Sequence, residues 1–130
     1  MIDTLKTPDV AEMTRFLAIE AMGWEYGEER LDYKPPMKAH WKKDGIFQAH
    51  AGWSPDTVPA DRDMLVEAMR KKGFLVDVLT RLNGERQALV YMDEKEGDVF
   101  SDVADTPGTA VCLAAAKALL ATMKEQHHDR

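Results

Sequence analysis

Apolar side chains recur along the chain at two periods, which predicts three helices and five short strands. The first helix is capped by Thr7, opened by Pro8 and stopped by Gly23. A second helix is predicted over residues 60–72, and a third begins at Pro107 and continues to about residue 125. Each of these segments places apolar residues three and four apart, so that one side of the helix faces a core. The apolar stripes are Val10, Met13, Leu17 and Ala21; Leu65, Ala68 and Met69; and Cys112, Ala116, Leu119 and Met123.

Strand-forming residues cluster in two other parts of the chain. Residues 38–41 and 46–50 predict a short hairpin that turns at Lys43-Asp44-Gly45. Residues 74–80, 87–92 and 99–104 predict three consecutive antiparallel strands. Asn83-Gly84 is typical of a two-residue hairpin turn in which both residues have positive φ.

This order of elements predicts an α+β fold, a single domain spanning residues 1–130 in which helices pack on an antiparallel meander. A chain of 130 residues buries about two thirds of its surface, which is enough for one core. Residues 25–58, which include Pro35-Pro36, read as an irregular insert rich in lysine and aromatic residues. Residues 126–130 read as a frayed polar tail.

Composition and charge exclude several classes of protein. The net charge of −6 argues against nonspecific binding along a phosphate backbone. No stretch is apolar enough for a membrane span, and charged residues interrupt the N-terminal segment where a signal peptide would lie. The single cysteine, Cys112, cannot form a disulfide within the chain, so we expect a cytoplasmic protein.

Three sequence blocks follow one another along the chain: Met22-Gly23-Trp24; Trp53-Ser54-Pro55, leading through Asp61 to Met69-Arg70-Lys71-Lys72-Gly73; and Ala104-Asp105-Thr106-Pro107, followed by residues 110–115. Together they resemble the phage ABA-sandwich family, a group of small proteins encoded by phages and prophages. The resemblance implies an α/β/α-layered fold and a phage origin, and it implies no activity. This chain differs in the long insert between Trp24 and Trp53.

Motifs that would indicate catalysis or a bound metal are missing from the sequence. There is no glycine-rich phosphate loop and no nucleophile elbow around either of the two serines. The histidines and Cys112 lack zinc-ligand spacing, and Cys112 lies in an apolar helix stripe, as expected of a core thiol. We therefore expect no metal and no cofactor.

One cluster of residue types does suggest binding. Aromatic rings stack on bases and lysine ammonium groups contact phosphates, so their mixture fits a nucleotide or a single strand. The same residues would equally form a hairpin whose rings pack inward and whose lysines remain solvated. The candidate ligand-binding residues are Lys38, His40, Trp41, Lys42, Lys43 and Trp53.

An acidic segment is the second candidate surface, because it could imitate the charge of a nucleic acid and bind a host protein. Its residues could also belong to a solvated turn. The candidate partner-binding residues are Asp93, Glu94, Glu96, Asp98 and Asp102.

The leading hypothesis is a non-enzymatic, phage-encoded binding protein that counters a host defence by binding an anionic nucleotide-type ligand. The alternatives are an acidic inhibitor of a host defence complex and a small nucleotide-acting enzyme that needs His50 or Asp61. The third helix is apolar around much of its circumference, which predicts a homodimer through helix 107–125 or helix 60–72.

Overall fold

A computed structural model describes residues 10–92 and 99–128 of the chain. Thr7 and Pro8, the predicted start of the first helix, lie outside the described residues. The elements are α1 (Val10–Glu20), β1 (Glu25–Gly27), β2 (His40–Lys43), β3 (Ile46–His50), α2 (Pro59–Lys71), β4 (Phe74–Thr80), β5 (Arg86–Met92), β6 (Phe100–Ala104) and α3 (Pro107–His128).

The described residues form one small α+β domain with three helices and two three-stranded antiparallel sheets, which confirms the predicted fold class. The first sheet has the order β1-β2-β3 and the second has the order β4-β5-β6. The second sheet is the predicted meander, and its strands begin and end within one residue of the predicted bounds.

Residues 25–58, which the sequence analysis reads as an irregular insert containing one short hairpin, contribute all three strands of the first sheet. β1 is only three residues long and escaped prediction, and β2 lies two residues later than expected. A bulge between Trp41 and Lys42 shifts the register of β2 against β3, which explains the imperfect alternation of the sequence. α3 continues to His128, into the segment 126–130 that the sequence analysis reads as a frayed polar tail.

The two hairpin turns differ from the prediction in loop length: the two-residue loop is at Asp44-Gly45, and the loop that contains Asn83-Gly84 is longer. Asp44 (φ 53°) and Gly45 (φ 78°) both have positive φ and join Lys43 directly to its partner Ile46. In the Asn83-Gly84 turn only Gly84 has positive φ (91°). There the Arg81 N–H donates to the Glu85 carbonyl at 2.7 Å, so the loop has three residues instead of two.

The third helix organises the core. α3 packs on one face of the meander, against β5 and β6, and its other side contacts α1 and α2. Ala88 and Val90, at the centre of β5, are completely buried. Small side chains along α3 allow these neighbours to approach closely; the buried alanines are Ala110, Ala114, Ala115, Ala116 and Ala118.

An ion pair ties α3 to the edge of the meander. The Lys117 ammonium lies 3.1 Å from Oδ2 of Asp102 and donates to the Ser101 carbonyl at 2.9 Å. Most of the apolar circumference of α3, including Val111, Cys112 and Leu119, is already buried within the one chain. The apolar surface that suggested a partner on this helix is thus largely used inside the domain.

Candidate ligand-binding surface

Two of the predicted ligand-binding aromatics belong to the core. Trp41 and Trp53 are each only 3% exposed, so neither indole offers a face on which a ligand could stack. Trp53 packs edge-on against Trp24 with ring centroids 5.0 Å apart, and Trp41 packs edge-on against Tyr26 at 5.3 Å. Replacing Trp41 or Trp53 would therefore lower the stability of the fold and would not report on ligand binding.

His40 is buried as well, at 8% exposure, and its ring is fixed on three sides. Its Nδ1 donates to the Lys38 carbonyl at 2.9 Å, because a carbonyl oxygen can only accept. The imidazole lies over Gly27 of the neighbouring strand, and its other side stacks on Phe47 at 5.8 Å. His40 is thus a positioned support for the surface beside it.

The exposed aromatic surface of the first sheet is centred on Phe47. This ring is 53% exposed and contacts two imidazoles, His40 in a stacked arrangement and His50 edge-on at 5.1 Å. Cross-strand pairing places Gly27, His40 and His50 on one face of the sheet, and Lys42 opposite Phe47 on that same face. We call the set His40, Lys42, Phe47 and His50 the hairpin face.

Lys42 is the lysine of the hairpin face, and Glu25 is its partner on the neighbouring strand β1. Lys42 is partly buried between Glu25 and Phe47, its cross-strand partners, while Lys38 and Lys43 are exposed. No ion pair within 4 Å joins Lys42 to a carboxylate among residues 10–92 and 99–128. Within those residues the charge of Lys42 is therefore not used in an ion pair.

The sequence-based list of ligand-binding residues leaves out Phe47 and His50, although His50 is a candidate residue in the enzyme alternative. The available signal was the pairing of two short strands across Asp44-Gly45, which brings alternate residues of both strands onto one face. The bulge shifts that pairing, so residue types alone could not separate the buried Trp41 from the exposed Phe47.

Of the acidic candidate residues, the structure describes only Asp102. Asp93, Glu94, Glu96 and Asp98 lie outside the described residues. Asp102 is ion-paired with Lys117, and its Oδ1 accepts the Val103 N–H at 2.8 Å. Its charge is therefore already compensated within the domain.

Other candidate chemistry in the chain has a structural explanation. Asp61, at the start of α2, accepts the Ser54 N–H at 2.9 Å and so fixes the loop that leads into the helix. Burial in the core raises the pKa of the Cys112 thiol to about 12, which keeps it protonated and unreactive. Within the described parts of the chain, no three His, Cys, Asp or Glu residues are grouped to hold a metal ion.

No helix in residues 10–92 and 99–128 has the length and apolarity needed to cross a membrane. No known protein family, no curated protein and no solved structure matches the chain.

Proposed function

We propose that this protein is a small, non-enzymatic binding protein that holds an anionic nucleotide-type ligand on the hairpin face. The observation that carries the proposal is the exposed ring of Phe47, which contacts the imidazoles of His40 and His50 and belongs to a residue paired across the strands with Lys42. Exposed rings on a strand surface stack on bases, and neighbouring lysines contact the phosphates.

The support provided by His40 strengthens the proposal. A stacking ring binds well only if it is already held in place, since ordering a mobile side chain costs free energy on binding. Phe47 is positioned by His40, which is itself fixed by Gly27 and by the Lys38 carbonyl. The ring at the centre of the surface is therefore preorganised.

The biological setting in the proposal comes from the resemblance to phage proteins. A small binding protein made in the cytoplasm of an infected bacterium would act by sequestering a nucleotide-type molecule that a host defence requires. Sequestration needs affinity and no catalytic group, which agrees with the structural roles found for Asp61 and Cys112.

Calorimetric titration with mononucleotides, dinucleotides and short single-stranded DNA and RNA oligomers tests the proposal. We expect Phe47→Ala to weaken binding roughly 5- to 150-fold, since stacking on one aromatic ring contributes about 1–3 kcal/mol per base. Tyr33→Ala is the matched control, because Tyr33 is also exposed but lies outside the hairpin face.

The charge component is tested in the same way with Lys42→Glu, for which we expect weaker binding and a smaller dependence on salt. Lys71→Glu, an exposed lysine at the end of α2, is its control. The proposal is contradicted if no member of the panel binds at millimolar concentration, or if each variant binds as tightly as its control.

A further inference from the structure

The second sheet ends in a strand whose outer half is unprotected. β4 lies at the edge of the order β4-β5-β6, so one side of its backbone has no strand partner in that sheet. The last four residues of β4, Asp77 to Thr80, are all exposed, with Val78 at 42% and Leu79 at 50%. A long apolar edge strand of this kind is a template for pairing with another strand.

Backbone N–H and C=O groups of alternate residues in β4 point to opposite sides of the strand, and this alternation shows which of them are free to pair with another strand. The Arg81 N–H donates to Glu85, so Arg81 faces the β5 side of the hairpin. The backbone groups of residues 77 and 79 also point toward β5, because the direction alternates from one residue to the next along a strand. The N–H and C=O groups of Val76, Val78 and Thr80 therefore point away from β5, toward the open edge.

The order of side chains along this edge is self-complementary. If a second copy pairs antiparallel with a twofold axis at Leu79, Asp77 lies opposite Arg81 of the second copy, and Arg81 opposite its Asp77. In the same register, Val78 and Thr80 form the hydrogen-bonded pairs and Leu79 meets its own equivalent. Opposite charges and apolar side chains are thereby matched across the strands.

Charge also favours the register centred on Leu79 over registers whose twofold axis lies at an adjacent residue. An axis at Asp77 would place the two Asp77 carboxylates opposite each other, which is unfavourable. An axis at Val78 would place Asp77 against Leu79. Among the described residues neither Asp77 nor Arg81 has an ion-pair partner within 4 Å; Tyr91 donates to Asp77 at 2.6 Å and Arg81 contacts the neutral amide of Gln87.

We propose that two copies of this chain join through β4, in the register centred on Leu79, to form one continuous six-stranded sheet. The twofold contact is isologous, so the same edge supplies both halves. It differs from the interface that the sequence suggests, through helix 107–125 or helix 60–72; of these two, α3 has most of its apolar surface buried within the chain. The inference is independent of the proposed ligand, because the hairpin face belongs to the other sheet.

Sedimentation velocity at micromolar concentration tests the assembly with paired charge reversals. We expect the wild-type chain to sediment at twice its monomer mass of 14.7 kDa. Asp77→Arg and Arg81→Asp should each weaken the dimer at least tenfold, because each places like charges opposite one another. The double variant should restore dimerisation, an outcome that a general loss of folding would not produce.

A disulfide test fixes the register independently. Equivalent residues at the axis form a non-hydrogen-bonded pair with Cα atoms about 4.5 Å apart, which is within disulfide range. Leu79→Cys should therefore cross-link on mild oxidation, whereas Leu75→Cys should not, and Cys112 is buried and does not compete. A monomeric wild type, a dimer unaffected by both single reversals, or cross-linking of Leu75→Cys in place of Leu79→Cys would overturn the proposal.

Discussion

The imidazole of His40 lies against the backbone of Gly27 in the adjacent strand, with no room for a side chain between them. A Cβ atom added to Gly27 would be 2.6 Å from both Cε1 and Nε2 of His40. The sequence pair Tyr26-Gly27 therefore leaves the space that allows a histidine ring to be buried beneath Phe47.

Gly27→Ala is expected to lower the free energy of unfolding by about 1–3 kcal/mol, the usual effect of forcing extra atoms into a packed site. The displaced ring would also lose its hydrogen bond to the Lys38 carbonyl. Urea denaturation measures the change. Gly52→Ala is the control, because no heavy atom lies within 4 Å of its added Cβ, and its effect should stay within about 0.5 kcal/mol.

Gly108→Ala is expected to destabilise the protein even though alanine is the better helix former. In an unhindered helix the replacement would gain up to about 1 kcal/mol. Here the new Cβ would overlap the carbonyl group of Asp56, a backbone group that cannot rotate away. We expect a loss of about 2 kcal/mol or more in thermal or chemical unfolding, and a stabilised variant would contradict this packing of α3.

Asp61→Ala should cost about 1–2 kcal/mol, since the Ser54 N–H would lose its acceptor in a partly buried loop. Asp63→Ala removes the same charge from an exposed position two residues later and should change stability by less than about 0.5 kcal/mol. If the two variants lose the same unfolding free energy in chemical denaturation, Asp61 stabilises the protein through its charge at the helix start and not through the hydrogen bond.

The raised pKa of the buried Cys112 thiol predicts that the protein loses stability at high pH. Its pKa is raised from 9.0 to about 12 by burial, so above pH 9 the unfolded chain releases a proton that the folded chain retains. The free energy of unfolding therefore falls from pH 9 toward pH 12, by at most about 1.4 kcal/mol per pH unit from this group.

The comparison with Cys112→Ala isolates that contribution from the titration of lysines and tyrosines. The difference in unfolding free energy between wild type and variant should shrink as pH rises from 8 to 11. A difference that is constant over this range would mean that the thiol ionises equally in both states. The native thiol should also resist aromatic disulfide reagents until denaturant is added.

The sequence specifies the second half of the fold better than the first. Gly73, directly before β4, and Gly84, in the turn after it, both have positive φ, and regular apolar spacing locates α2 and α3. The first sheet lacks these advantages. β1 has three residues, and its existence depends on pairing with β2, more than ten residues later in the chain.

The same limitation explains the misassigned tryptophan. A shift of one residue in a strand exchanges its two faces, so the identity of the exposed ring depends on register. Trp41 pairs with Tyr26 and Ala49 and faces the core, whereas Phe47 pairs with Lys42 and faces outward. Local sequence contains both aromatic residues but does not contain the pairing that separates them.

The position of α3 in the chain has a consequence for biosynthesis. Every element that α3 covers precedes it, so the meander emerges from the ribosome with Ala88 and Val90 uncovered. Hairpins pair through nearby residues and form early, whereas contacts with α3 close longer loops. We therefore expect the meander of the nascent chain to stay uncovered until the residues after Pro107 are released and α3 docks on it.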